Sequence, residues 1–311
     1  MSPRPRAAAR PRALRAGARV ALVAPAGPVD ADRIDASVER CRSLGLEPVV
    51  FPGARARHRY MAGEDAVRLR DLQAAFDDRS IDGVWALRGG YGTLRILDAL
   101  DLGRQLADPV PFIGFSDNTS IHARHAALGV VSFHGPHPGG SFPSATEEAF
   151  RRVLFAAEPP GALRTADGDP APRTLVPGRA EGPLIGGNLA IVAALCGTPH
   201  AIAARGAILF LEDVGEPAYR VDRLLQQIGA SGVLDGVVGL AFGRFTDAPP
   251  HDPHPVVDVL AELAERLAVP AVLDLPFGHV DHNATLPVGA RASLDADAAR
   301  LELVEAAVRA S

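Results

Sequence analysis

The sequence of 311 residues predicts an α/β protein with two domains. Strand and helix patterns alternate along residues 19–133, which is typical of a mostly parallel sheet with helices on both faces. Residues 158–183 are instead rich in Pro, Gly, Asp and Arg, and strand and helix patterns resume beyond them. We therefore predict four segments: a basic, disordered arm (1–18), an N-terminal α/β domain (19–157), a linker (158–183) and a C-terminal mixed α/β domain (184–311).

In the first half, short apolar runs alternate with segments whose apolar residues have helical spacing. Residues 19–24 are an apolar run that ends in the turn Pro-Ala-Gly-Pro, and residues 30–44 form a helix that Gly45 stops. Residues 64–78 carry apolar side chains three to four positions apart, which predicts a second helix. The same criteria predict strands at 47–51, 83–87, 110–115 and 130–133, and helices at 93–100 and 121–128.

The second half repeats these patterns with longer spacers. Its last segment, residues 290–305, alternates between apolar and polar side chains like a terminal hairpin. The other predicted elements are helices at 190–195, 220–228 and 256–267 and strands at 207–211 and 237–242.

Composition excludes several classes of partner. The net charge is −5 and aromatic residues make up only 5%, so a basic, base-stacking surface for nucleic acid is not expected. No apolar run is long enough to cross a membrane, and no apolar segment follows the basic N-terminus as in a signal peptide. We expect a cytoplasmic protein that binds neither nucleic acid nor membrane.

The basic residues restrict the chemistry, because all 32 of them are arginine. Without lysine there is no Schiff base, no P-loop lysine and no Ser-Lys dyad, so a serine nucleophile here needs histidine as its base. Cys41 and Cys196 are isolated in the sequence and predict free thiols rather than a disulfide or a zinc site.

Ser116 stands where a buried strand meets a helix, in the segment PFIGFSDNTS. A serine at such a joint can project its hydroxyl from the sheet as a nucleophile, and Gly114 permits a tight turn. Nucleophile elbows also have glycine two positions after the serine, whereas this sequence has Asn118. A serine that caps the helix is equally typical of this pattern.

The segment RGGYG, residues 88–92, also follows a predicted strand. Ligands bind outside the carboxyl ends of strands in parallel sheets, and glycines let backbone N–H groups approach a ligand or an oxyanion. A plain glycine turn is the alternative, and a phosphate loop is disfavoured because neither the dinucleotide spacing nor a lysine is present.

Glu212 and His279 supply a carboxylate and a base in the second half. Glu212 ends an apolar strand in LFLEDVGE, where a carboxylate is costly without a partner. His279 follows Gly278 in a loop, and His282 competes with it for the same role. A salt-bridged strand end and an ordinary loop histidine are the alternatives.

Two further histidine pairs have short, metal-like spacings, but neither has carboxylates or cysteines suitably nearby. We expect loop roles for both pairs and no metal or cofactor. The pairs are His134 with His137, and His251 with His254.

In this order, the segments resemble the LD-carboxypeptidase family of serine peptidases, the S66 type, which also includes microcin C immunity peptidases. The resemblance runs from about residue 19 to the C-terminus. It implies an N-terminal α/β domain with the nucleophile, a C-terminal domain with glutamate and histidine, an active site in the cleft between them, and a homodimer. The segments are RGGYG, PFIGFSDNTS, FHGP, LIGGNLA, LFLEDVGEPAYRVDRLL and GHVDHNATLPVG.

The resemblance also implies roles for single residues. Ser116 matches the family's nucleophile in its GxSD segment, Glu212 matches the glutamate of LED, and His279 matches the histidine before TLPxG. The backbone N–H groups of Gly90 and Asp117 match the oxyanion positions. His282 falls at a position that is usually not catalytic.

The implied activity is removal of the terminal D-alanine from muropeptide tetrapeptides during peptidoglycan recycling. Two alternatives are a peptidase that hydrolyses aminoacyl-adenylate analogues of the microcin C type, and a non-catalytic protein that binds a ligand in the cleft. A carboxypeptidase must also bind a terminal carboxylate, and Arg88 and Arg220 flank the site in sequence. Pairing of these arginines with Asp213, Glu216 or Asp222 is the alternative.

Overall fold

The computed structural model describes residues 8–248 and 255–310. Its strands are β1 (Arg19–Val23), β2 (Glu47–Val50), β3 (Gly83–Ala86), β4 (Phe112–Gly114), β5 (Ser132–His134), β6 (Gly161–Ala162), β7 (Arg173–Val176), β8 (Arg179–Asn188), β9 (Ile208–Val214), β10 (Gly239–Thr246), β11 (Ala271–Leu273), β12 (Leu286–Val288), β13 (Arg291–Asp295) and β14 (Arg300–Leu303). Its helices are α1 (Ala31–Ser43), α2 (Asp65–Asp77), α3 (Thr93–Ile96), α4 (Gly103–Ala107), α5 (Thr119–Ala127), α6 (Ser144–Leu154), α7 (Leu189–Leu195), α8 (Ala218–Ala230) and α9 (Val256–Leu267), with 3₁₀ turns at Pro52–Arg55 and Ser116–Asn118.

The first sheet has the strand order β12-β5-β4-β3-β1-β2. Strands β1 to β5 are parallel, as predicted, and β3 and β4 are buried along their whole length. Their carboxyl ends therefore lie along one edge, where RGGYG and Ser116 follow β3 and β4. Strand β12 comes from the second half of the chain and pairs antiparallel with β5.

The second sheet has the order β6-β14-β13-β8-β9-β10-β11-β7 and is mixed. Strands β8 to β11 are parallel, and antiparallel strands flank them on both sides. The apolar run of β9 fills the centre of this sheet and is buried up to Asp213. The predicted two-domain α/β class is confirmed.

The segment predicted as a linker is largely part of the second sheet. Residues 158–183 contain β6, β7 and the first part of β8. Strands β6 and β7 are the two edges of this sheet, and Pro170, Pro172 and Pro177 lie in the connections next to β7, where no N–H is needed for a ladder. Helices α4 and α6 and strands β11 and β12 were not predicted.

The prediction of a disordered arm is wrong for residues 8–18. The N–H of Ala9 donates to Gly129 O at 2.7 Å, and the N–H of Leu14 donates to Leu154 O at 2.8 Å. The Leu14 side chain is 2% exposed and packs near Gly83 at the start of β3. The arginine-rich composition suggested disorder, but the buried Leu14 side chain and the backbone hydrogen bonds order this segment.

The two sheets meet at a close backbone contact. Thr119, at the start of α5, accepts a hydrogen bond from the N–H of Asn188 at 3.0 Å. A Cβ at Gly187 would lie 2.5 Å from the Thr119 side chain, so only glycine lets β8 approach α5 so closely. The end of β8 is thereby fixed beside the segment that carries Ser116.

In the part of the chain that the structure describes, no helix has both the length and the apolar character needed to cross a bilayer.

Replacement of Leu14 with alanine tests the ordered arm. We expect a loss of about 2–4 kcal/mol of unfolding free energy, because a buried leucine leaves a cavity. Urea denaturation followed by circular dichroism measures the change. The matched control is Leu106→Ala, since Leu106 is 52% exposed. Equal midpoints for the two variants would show that the arm contributes no packing.

Candidate active site

Ser116 occupies a strained turn between β4 and α5. Its φ is +62°, a left-handed conformation that non-glycine residues seldom adopt. Such strain at a strand-to-helix joint is the geometry of a nucleophile elbow. The side chain is half-buried and lies against Gly89, where a Cβ would come within 2.9 Å of the Ser116 hydroxyl oxygen.

Asp117 and Asn118, which follow Ser116, hold this turn in place through hydrogen bonds. The buried Asp117 carboxylate accepts hydrogen bonds from the N–H and the hydroxyl of Thr93, both at 2.9 Å. Burial raises the pKa of Asp117, against the effect of these two bonds. Asn118 donates from Nδ2 to Phe115 O at 3.0 Å and to Arg88 O at 3.3 Å. Asn118 therefore links the turn to RGGYG, which a glycine there does not do.

The RGGYG loop is anchored on its two sides. The carbonyl of Gly89 accepts a hydrogen bond from the N–H of Gly27 at 2.9 Å. In a trans peptide the N–H points opposite to the carbonyl, so the Gly90 N–H points away from Gly27. Arg68 is buried and donates from Nη1 to Pro25 O and Gly92 O, both at 2.7 Å.

Glu212 and His279 are directly hydrogen-bonded. The distance from His279 Nδ1 to Glu212 Oε2 is 2.7 Å, and the Glu212 side chain is fully buried. A Cβ at Gly278 would lie 2.9 Å from Glu212 Oε2, so glycine before the histidine permits this approach. Burial by itself lowers the pKa of His279, but the bond and the charge of Glu212 outweigh it and raise the pKa.

Asp213 points to the other side of β9 and fixes the end of β8. It accepts hydrogen bonds from Asn188 Nδ2 and from the N–H of Ala190, both at 2.9 Å. Burial raises the pKa of Asp213 to about 6. Asp213 is therefore a structural neighbour of Glu212, tied to β8 and α7.

A cleft of about 420 Å³ is lined by residues from both the first and the second half of the chain. Phe115, which precedes Ser116, lies 4.9 Å from the His279 ring, measured between ring centroids. Both residues line the cleft with His137, Asp281 and Arg33. Within residues 8–248 and 255–310, Ser116 Oγ has no hydrogen bond to His279, and this bond is often absent until substrate is present.

The other histidines near the site form no hydrogen bond with Glu212 among the described residues. His282 Nδ1 lies 2.6 Å from Asp169 Oδ2, away from Glu212. His134 is buried and neither of its ring nitrogens has a partner among the described residues. The His137 ring packs against that of Phe115 with 4.3 Å between centroids and a tilt of 30°, and burial lowers the pKa of His137 well below the usual value.

Metal ligation was not expected from the sequence. Among the residues for which the structure is described, no group of three or more His, Cys, Asp or Glu side chains is arranged to hold a metal ion. His251 and His254 lie outside the described residues.

The predicted substrate arginines differ in their surroundings. Arg220 is paired with Glu216, with 2.8 Å between Nε and Oε2. Arg88 is exposed, and its Nη1 donates to Pro28 O at 2.7 Å without an ion pair to any described carboxylate. Arg33 also lines the cleft, but the sequence did not single it out, because an arginine in an amphipathic helix does not indicate a cleft.

Comparison with known proteins agrees with this architecture. The family described as LD-carboxypeptidase N-terminal domain matches residues 20–135, and the LD-carboxypeptidase C-terminal domain matches residues 181–294. The chain is 45% identical to a putative carboxypeptidase of Streptomyces coelicolor, with 94% of this chain and 96% of the relative covered. It is 38% identical to the murein tetrapeptide carboxypeptidase of Pseudomonas aeruginosa, with 91% and 94% covered.

Solved structures share the whole fold. The muramoyltetrapeptide carboxypeptidase from Oxalobacter formigenes superposes with a TM-score of 0.78 at 32% identity, over 91% of this chain and 97% of the other. An MccF-like protein from Bacillus anthracis has a TM-score of 0.87 at 22% identity, over 95% and 99%, and shares the fold. The chain therefore belongs to the LD-carboxypeptidase family and is a serine-type carboxypeptidase, a hydrolase.

Proposed function

We propose that the enzyme hydrolyses the L,D bond before the terminal D-alanine of muropeptide tetrapeptides, in peptidoglycan recycling, with Ser116, Glu212 and His279 as its triad. The observation that carries the proposal is the His279–Glu212 hydrogen bond, on the same cleft as the strained Ser116 turn. Relatives named as murein or muramoyl tetrapeptide carboxypeptidases support the substrate class. A cytoplasmic location and a homodimer stay predictions.

The mechanism follows the roles of a serine triad. His279 takes the proton of Ser116 as its oxygen attacks the scissile carbonyl, and then gives the proton to the leaving amine of D-alanine. Water attacks the resulting ester with His279 again as the base. Glu212 accepts the Nδ1–H of His279 throughout, which fixes the tautomer and stabilises the imidazolium.

Two backbone N–H groups are suited to stabilise the oxyanion. Those of Gly90 and Asp117 have no hydrogen-bond acceptor among the described residues, while Gly27 holds the carbonyl of Gly89 and Thr93 holds the carboxylate of Asp117. Donors fixed in this way need no reorganisation, and one such donor typically contributes about 2.7–4 kcal/mol to transition-state stabilisation.

The first test is mass spectrometry of L-Ala-γ-D-Glu-meso-diaminopimelate-D-Ala after incubation with enzyme. We expect the wild type and the control variant Ser43→Ala to release one alanine and Ser116→Ala to release none, because only Ser116 supplies the nucleophile. A tetrapeptide that ends in L-alanine should stay intact. Release by Ser116→Ala would disprove the assigned nucleophile.

Absence of release by every variant would disprove the muropeptide substrate. Aminoacyl-adenylate analogues are then the next substrates to test, and failure with these would favour a protein that binds a ligand in the cleft without catalysis.

The raised pKa of His279 predicts a pH profile. The base must be neutral, so kcat/KM should rise with pH through a midpoint above 6.5, the ordinary histidine value. In Glu212→Gln the effect of burial remains and the largest raising effect is lost, so the midpoint should move to lower pH. The maximal kcat/KM should fall by about 10²- to 10⁴-fold.

Rates of alanine release between pH 5 and pH 9, a range of about four units around the histidine pKa, measure this profile. The control Asp247→Asn removes an exposed carboxylate that contributes least to the shift, and it should move the midpoint only slightly. An unchanged midpoint in Glu212→Gln would show that His279 does not titrate in the profile.

A further inference from the structure

One wall of the cleft carries an unpaired cation. Arg33, on α1, lines the cleft together with His279 and is half-buried. Its guanidinium forms no ion pair with any carboxylate of the described residues, and its Nε is buried without a hydrogen-bond partner. A partly buried charge without a partner is costly, and an anionic ligand removes that cost.

The surrounding backbone holds Arg33 in place. A Cβ at Gly139 would lie 2.4 Å from Arg33 O and 2.6 Å from Arg33 Cγ, so the loop after β5 packs directly on this residue. The hydroxyl of Ser37 donates to Arg33 O at 2.7 Å. The stem of Arg33 is therefore fixed before any ligand binds, which lowers the entropy lost on binding.

A second cation lies close to Arg33. Burial lowers the pKa of Arg33, and the positive charge of Arg88 lowers it further, while Asp30 opposes this. Asp30 is already paired with Arg57. Arg33 therefore feels a second positive charge, while the nearby carboxylate of Asp30 is shared with Arg57.

The remaining charged or titratable groups of the cleft do not neutralise these arginines. His137 lines the same cleft, and burial together with the charges of both arginines keeps its imidazole neutral by lowering its pKa. Asp281 lines the same cleft but is exposed to solvent and forms no ion pair with a described arginine.

We propose that Arg33, assisted by Arg88, binds the terminal carboxylate of the substrate, the carboxylate of the D-alanine that leaves. That carboxylate is two bonds from the scissile nitrogen, so its partner must line the same cleft as His279, as Arg33 does. A guanidinium offers two parallel N–H groups to a carboxylate. Arg220 is not suited to this role, because Glu216 already neutralises it.

The binding site would explain why only the last residue is removed. A longer chain presents a neutral peptide group where the carboxylate belongs, and it leaves Arg33 desolvated without an anion. This inference rests on the proposed function, since it names the substrate group that the same site recognises.

The test compares the tetrapeptide acid with its C-terminal amide. In Arg33→Gln, kcat/KM for the acid should fall about 10- to 100-fold, chiefly through KM, because a hydrogen-bonded charge pair is lost. The value for the amide should change less than about twofold, since the amide has no charge to lose. Arg33→Lys should fall between wild type and Arg33→Gln, because it keeps the charge without the fork.

The matched control is Arg42→Gln, an exposed position on the same helix whose partner is Glu39. It should leave both substrates unaffected. Equal losses for acid and amide in Arg33→Gln would overturn the proposal, because a merely structural effect does not discriminate between them.

A binding measurement separates this inference from the proposed activity. Calorimetry with Ser116→Ala should give tighter binding of the acid than of the amide, and Ser116→Ala/Arg33→Gln should lose that preference. If the wild type hydrolyses neither peptide but the preference depends on Arg33, the proposed activity fails and the carboxylate site stands. If neither peptide binds, both proposals fail.

Discussion

The site depends on one buried carboxylate, that of Glu212. A fully buried carboxylate is unfavourable unless a cation or a hydrogen-bond donor meets it, and His279 is that donor. Several features of the second sheet follow from this contact. Gly278 has no side chain because Glu212 occupies the space, and Asp213 ties the same strand to β8.

The loop that carries His279 is held at both of its ends. At one end Gly278 packs on Glu212, and at the other β12 pairs with β5, with Leu286 opposite His134. The loop thus begins in the second sheet and ends in the first, where β5 separates β12 from β4, the strand that leads to Ser116. Together with the Thr119–Asn188 bond, this crossing fixes the distance between the two halves of the site. The geometry of the proposed triad therefore depends on the contact between the sheets.

Much of the fold followed from the sequence because its inner strands are continuous apolar runs. Strands β1, β3, β4, β5 and β9 were predicted within a few residues, since burial on both faces dictates their composition. The edge strands β6 and β7 were assigned to a linker, because an edge tolerates proline, glycine and charge. Their partners are remote in sequence, so no local pattern indicates them.

The candidate site also contains residues that the sequence predicts and one that it does not. Glu212, His279 and Ser116 stand at strand ends or in distinctive turns, so local sequence identifies them. Arg33 has no such signal, because a helix on the surface commonly carries arginine. Arg33 lines the cleft beside the loop of Gly139, a residue that is remote in sequence, so no local pattern indicates this contact.

Among the ten histidines, the proposed base His279 is distinguished by its electrostatic surroundings. His122 and His125 are buried, and burial lowers their pKa values to about 3 and about 4, so they stay neutral and pack as polar core residues. His279 is also largely buried, but its pKa is raised because a carboxylate is buried with it. The imidazolium that a triad requires as an intermediate is therefore stabilised at one histidine of the cleft and disfavoured at its neighbour His137. The glutamate that would be costly to bury alone is thus the group that raises the pKa of His279, the proposed base.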